Sequence, residues 1–177
     1  EDLLKKGKTK IGIVFNTDVH TGSGKHWISA FINFETGEIN FFDSATSIAE
    51  PSDKDNQDCI CELQDGVSFK SQYKGISDLL HNIKNQGNKL VSERKYKNLQ
   101  NPFKIFYNTQ KHQTEDSECG MFSMYFIIKM LEGLTFHKLN ENRIKDDEVF
   151  KYRYVFFHPN EVTPQSKVNL GKEFNDI

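Results

Sequence analysis

Cys119 stands where a thiol can become a nucleophile. It follows the polar stretch Gln113-Thr114-Glu115-Asp116-Ser117-Glu118 and opens the apolar run Gly120-Met121-Phe122-Ser123-Met124-Tyr125-Phe126. That boundary reads as a helix N-terminus, where unsatisfied backbone N–H groups and the positive end of the helix dipole favour thiolate over thiol. Gln113 lies six residues upstream, on a loop that could fold its side-chain amide back beside the sulfur. A thiolate next to a fixed hydrogen-bond donor is equipped for acyl transfer through an oxyanion. As a lone thiol, Cys119 has the competing reading of a small core residue.

The base such a thiol needs is sought far upstream. His26-Trp27 leads into Ile28-Ser29-Ala30-Phe31-Ile32-Asn33-Phe34, and Glu35-Thr36-Gly37-Glu38 reads as a turn. Ile39-Asn40-Phe41-Phe42 then returns to Asp43-Ser44-Ala45. Two β-rich runs about a Gly-containing turn predict a hairpin. It brings His26 and Asp43 to one end of the sheet. A tight turn at Thr36-Gly37 would set Ala30, not His26, opposite Asp43, so a His–Asp contact requires twist, a bulge or a reach from the loop. His20 and His112 compete with His26 for the role of base, and Gln110 competes with Gln113 for that of donor. Asp43 alone would be a strand-end turn former with Ser44.

Taken in order, Phe15-Asn16-Thr17-Asp18, Thr21 to Trp27, Phe42 to Ala45, Gln113 to Gly120 and Arg143-Ile144-Lys145-Asp146 with Arg153 and Phe156-Phe157 form a recognisable set. Asp43 lies 17 residues beyond His26. The set resembles the ubiquitin-like-protein (SUMO) protease family of cysteine peptidases. Within that family it is most similar to the polyprotein-processing proteases of large DNA viruses such as African swine fever virus. The resemblance implies an α+β fold: a papain-like core of the SUMO-protease and adenovirus-protease type, with a mixed sheet and the nucleophile at a helix N-terminus. It also implies Cys119 as nucleophile, His26 as acid and base, Asp43 as the group that orients His26, and Gln113 as oxyanion donor. Trp27 and Gly120 would border the substrate, the indole roofing a channel narrow enough for glycine. The African swine fever virus enzyme carries asparagine where Asp43 stands, so this site is more similar to the cellular proteases there.

The activity implied is a thiol endopeptidase, without metal or organic cofactor, that cuts after Gly-Gly and processes viral structural polyproteins during particle maturation. Its alternatives are a deconjugase for SUMO, ubiquitin or a related modifier, and a non-catalytic adaptor that binds such a modifier. The expected partner is therefore a protein substrate with a Gly-Gly tail or junction, in the host cytoplasm or the virion. The chain has one Trp, whereas the cellular family closes its glycine channel between two. That difference raises the expectation of a separate N-terminal recognition region.

Positioning these groups needs a real core. The 177 residues are expected to form a single catalytic domain, 1–177, with 36% hydrophobic residues and 15 Phe to fill it. Lys and Arg number 23 against 25 Asp and Glu, a net charge of −2, which argues against general nucleic-acid affinity. No apolar run approaches a membrane span, and no signal peptide opens the chain. An odd count of three cysteines suggests no disulfide framework. Strands are expected near 11–15, 27–34, 38–43 and 103–108. Helices are expected near 75–86, stopping at Gly87-Asn88, then over 119–131 and 146–154, with Pro159 beyond. Residues 1–10 read as a solvated lead-in and 44–72, with Pro51, as a polar loop or insertion.

Two weaker motifs are set aside. Cys59-Ile60-Cys61 with His81 lacks zinc-knuckle spacing and a fourth ligand, and reads as an insertion strand. Thr21-Gly22-Ser23-Gly24-Lys25 lacks the phosphate-loop pattern, and His26 follows the lysine where Ser or Thr is required. It reads as a flexible loop delivering His26.

Overall fold

A five-stranded mixed sheet lies at the centre of the computed structural model, which describes residues 2–18, 21–22, 24–46, 59–65, 67, 69 and 73–156. The strands are β1 (Lys10–Asn16), β2 (Trp27–Asn33), β3 (Glu38–Phe42), β4 (Ile60–Glu62) and β5 (Lys104–Asn108), in the order β1-β2-β3-β5-β4. The helices are α1 (Asp2–Lys5), α2 (Lys74–Ser92), α3 (Cys119–Leu131), α4 (Phe136–Glu141) and α5 (Asp146–Phe156). His20, Pro51 and Pro159 lie outside the described residues.

Strand periodicity explains the layering. Ile28, Ala30 and Ile32 alternate with Ser29 and Phe31, so β2 buries both of its faces. On one face Ile28, Ala30, Ile32, Ile39 and Phe41 pack with Leu80 of α2. On the other, Phe31 and Phe42 pack with Met121, Phe122 and Phe126 of α3. Each of these Ile, Leu, Phe and Met side chains contributes about 1.5–3 kcal/mol on leaving water. Helix α3 runs so close to β1 that a Cβ on Gly12 would lie 2.5 Å from Ile127 Cγ2.

Three elements depart from expectation. Helix α2 does not stop at Gly87-Asn88 but continues to Ser92. Gly87 marks close packing instead: a Cβ there would lie 2.7 Å from the Phe103 ring, and Asn88 Oδ1 accepts from Phe103 N at 2.6 Å. The lead-in folds as the short α1, which buries Leu4 against the core. The short α4 is a helix the sequence did not mark, whereas the strand read at Cys59-Ile60-Cys61 in the 44–72 insertion forms as β4, antiparallel to β5.

The end of α3 is well specified. Gly133, at φ +97°, directs its N–H to Met130 O, and Leu134 N–H reaches Lys129 O. This paired C-terminal motif turns the chain sharply into α4. Thr135 caps α4 by accepting from Lys138 N.

Candidate active site

Topology gathers the expected residues at one end of the sheet. β2 starts immediately after His26 and β3 ends immediately before Asp43; the two strands are antiparallel. β3 and β5 are parallel, so Asn108, at the end of β5, also arrives there. The hairpin register pairs Ser29 with Phe42 and Asn33 with Glu38. One step further sets Asp43 beside Ile28, two residues closer to His26 than a tight Thr36-Gly37 turn would allow. The difference arises because the turn centres on Glu35-Thr36, one residue upstream, within a loop of residues 34–37. Gly37, at φ +73°, closes it by donating to Asn33 O at 2.9 Å and lies against the backbone of Asn101 and Pro102, where a Cβ would clash. From the chain just before β2, His26 Nε2 reaches Asp43 Oδ1 at 2.7 Å.

Asp43 is buried and firmly held. Its Oδ1 also accepts from Ala45 N at 3.0 Å, and Tyr73 Oη donates to its Oδ2 at 3.1 Å. The Asn108 side chain clamps its backbone: Oδ1 accepts from Asp43 N and Nδ2 donates to Asp43 O, both at 2.9 Å. Neither Tyr73 nor Asn108 was singled out from the sequence. Asn108 lies 65 residues from Asp43, and only the parallel β3–β5 pairing brings them together.

The other side of the imidazole meets Cys119. With Nε2 committed to Asp43, Nδ1 is left for the sulfur. The hydrogen bond to Asp43 and that to Cys119 raise His26 to about 9, against the opposing effect of burial. Burial pushes the Cys119 thiol up, but His26 and the backbone N–H groups of Trp27 and Gly120 outweigh it and hold the thiol below its ordinary value. Cys119 is the first residue of α3, as its sequence position predicts. The arrangement favours a thiolate–imidazolium pair.

Gln113 is buried against Ser44. Its backbone N–H, like that of His112, donates to Ser44 O at 2.9 Å. Its side-chain amide donates through Nε2 to Glu115 O, while Oε1 accepts from Ser44 Oγ at 2.9 Å. A carbonyl can only accept, so this partner fixes the nitrogen end of the amide, and Nε2 keeps a second hydrogen. Backbone and side-chain contacts thus link Cys119, His26, Asp43, Ser44 and Gln113 in one network.

The competing residues go elsewhere. His112 is buried against Phe42, with its Nε2 2.8 Å from Asn140 Oδ1, and burial lowers it to about 4. Gln110 joins the network through its backbone, accepting from Asn108 Nδ2 at 3.0 Å. Cys59 donates to His137 O at 3.7 Å, Cys61 lies beside Tyr107, and His81 Nε2 donates to Val67 O at 2.9 Å.

Trp27 is 41% exposed, unusual for so large an apolar ring. Its indole lies between Gly24 and Gly120: a Cβ on either would sit 3.9 Å from it. A cleft of about 610 Å³ opens there, lined by Trp27, Lys25, Cys119, Gly120, Asp116 and Arg153 among others. Gly24 N donates to Asp18 Oδ2 at 3.2 Å, which ties down the loop before His26.

Comparison with known proteins gives a consistent family. The Ulp1 protease family, C-terminal catalytic domain, matches residues 8–161. The R355 protein of Acanthamoeba polyphaga mimivirus, named as a thiol protease, is 26% identical over 97% of this chain and 48% of its own length. The SUMO-1 cysteine protease S273R of African swine fever virus (isolate Pig/Kenya/KEN-50/1950) is 24% identical over 87% of this chain and 46% of its own. The crystal structure of selenomethionine pS273R protease from that virus superposes with a TM-score of 0.53 at 23% identity, covering 82% of this chain and 43% of that one. The chain thus spans about half the length of the curated relatives it matches.

Proposed function

The chain belongs to the Ulp1 protease family, and on that premise we propose that it is a thiol endopeptidase that cuts polyproteins after Gly-Gly. One observation carries the reading: His26 lies between Asp43, at 2.7 Å, and the sulfur of Cys119 at the start of α3. The Cys119 thiolate attacks the carbonyl carbon of the second glycine. Negative charge moves to the carbonyl oxygen, where the Cys119 backbone N–H and Gln113 Nε2 stabilise it. The intermediate collapses as His26 gives its proton to the leaving amine, and a thioester remains. Water, deprotonated by His26, then releases the carboxylate and restores the thiolate. Asp43 holds the ring so that one nitrogen faces the sulfur throughout.

Gly-Gly selectivity rests on Trp27. Its exposed indole beside Gly120 leaves a flat, shallow passage, and a residue with no Cβ fits there most readily. The relatives named above are viral, which is the ground for preferring polyproteins, while the SUMO-1 in the African swine fever virus protein's name is the ground for the modifier alternative. The test is a peptide panel with Gly-Gly, Ala-Gly, Gly-Ala and Ala-Ala before the cut, beside SUMO- and ubiquitin-terminal substrates. The reading expects strong preference for Gly-Gly peptides. Equal cutting after Ala-Ala would refute the glycine passage, and faster turnover of a folded modifier would make the protein a deconjugase.

A further inference from the structure

The loop from Lys111 to Glu118 is fastened to α5 and its lead-in at successive points. Arg143 Nη1 donates to Lys111 O at 3.0 Å. Asp146, the first residue of α5, accepts from Thr114 N at 2.9 Å and Thr114 Oγ1 at 2.5 Å through Oδ2, and from Glu115 N at 3.2 Å through Oδ1. Arg153 Nη2 donates to both oxygens of the buried Glu118 carboxylate at 3.1 Å and to Ser117 O at 3.5 Å. Asp146 and Arg153 are seven residues apart, two helical turns, and so share one face of α5. Anchors occur in the same order along the helix and along the loop.

Two details argue that this arrangement serves the site and not only the fold. Asp146 grips the two residues that follow Gln113, and Glu115 O in turn receives the Gln113 amide. Glu118 is the N-cap of α3, yet its side chain makes no cap hydrogen bond; its carboxylate turns to Arg153 instead. That neutralises a negative charge directly before Cys119, where an unpaired carboxylate would disfavour thiolate.

We propose that α5 is a brace for the catalytic loop, with Asp146 a positioning residue for the Gln113 amide and Arg153 a positioning residue for Cys119. The proposal rests on the thiol-peptidase reading and adds to it Asp146, outside the lining of the Trp27 cleft, and Arg153, which lines that cleft but acts on Cys119 through Glu118. A displacement near 1 Å in a catalytic group lowers turnover by up to about 100-fold. Asp146→Ala should therefore reduce kcat by about 10- to 100-fold with KM within about twofold.

A double-mutant cycle with Gln113→Ala isolates the role. If Asp146 acts through Gln113, Asp146→Ala should add less than about threefold to the loss already caused by Gln113→Ala. Iodoacetamide alkylation of Cys119 needs no oxyanion donor, so Asp146→Ala should leave its rate within about twofold. Arg153→Met should instead shift the pH profile of alkylation upward, and Glu118→Gln in the same chain should reverse that shift. Should Asp146→Ala fold poorly, Asp146→Asn keeps one acceptor and should give an intermediate loss of kcat. Multiplying losses in the cycle, or unchanged kcat in both Asp146 variants, would overturn the brace. Unchanged kcat in Gln113→Ala would instead refute the oxyanion reading on which it stands.

Discussion

Asp43→Asn tests how much of the site's chemistry depends on one charge. His26 stands at about 9 against an ordinary 6.5. At about 1.4 kcal/mol per pH unit, the folded site favours imidazolium by roughly 3 kcal/mol. The hydrogen bond to Asp43 is the largest cause and the Cys119 sulfur the next, with burial opposing both. Asparagine preserves the shape and one acceptor but removes the charge. If half of the preference is lost, His26 falls by about one pH unit, and the weaker imidazolium holds the Cys119 thiol less far below its ordinary value. The alkaline limb of kcat/KM, which reads the loss of imidazolium, should move down from about 9. The acid limb of iodoacetamide alkylation, which reads the thiolate, should move up. Linkage fixes the sign for stability as well. A raised histidine stabilises the fold fully below its unfolded value of about 6.5, and that contribution fades as pH rises through about 9. Cys119, held below its ordinary value, contributes with the opposite sign over that window, so the decline is to be read in a Cys119→Ser background, where Asp43→Asn should reduce it. An alkaline limb unmoved in Asp43→Asn would refute the pairing argument.

The remaining predictions concern single groups. Cys119→Ala should abolish turnover with folding nearly intact by circular dichroism, while Cys59→Ser and Cys61→Ser stay active. Gln113→Ala should lower kcat by about 10²–10³-fold with KM nearly unchanged; the same signature in Gln110→Ala alone would show that the donor was misassigned. His112 is held near 4, so stability should fall by up to about 3 kcal/mol as pH drops from about 6.5 through 4, and His112→Gln should flatten that fall in urea titrations. Gly87→Ala should destabilise by about 1–3 kcal/mol, since its Cβ would meet the Phe103 ring at 2.7 Å; thermal unfolding reads this directly.

What the sequence made legible was local. Two β-rich runs about a Gly-containing turn marked β2 and β3, the apolar run after Cys119 marked α3, and the hairpin brought His26 and Asp43 to one end. What escaped depended on contacts between distant segments. Gly87 reads as a stop from propensity alone, but Phe103, 16 residues on, needs the space its missing side chain leaves. The hairpin register turned on Gly37 meeting Pro102, a neighbour no local pattern reveals. Tyr73 and Asn108 look like ordinary residues at element ends until the parallel β3–β5 pairing and the start of α2 bring them against Asp43. The short α4 carried a readable signal in Thr135 after Gly133, yet its six residues gave too little periodicity to mark it as a helix.

The most direct measurement of the central claim is labelling with a peptide that ends in Gly-Gly-vinyl sulfone, followed by mass spectrometry of the intact and digested protein. The account predicts a single adduct on Cys119, strongly slowed in His26→Ala and absent in Cys119→Ala, with an Ala-Ala probe labelling far more slowly. Adducts on Cys59 or Cys61 at equal rate, or labelling indifferent to His26, would contradict it.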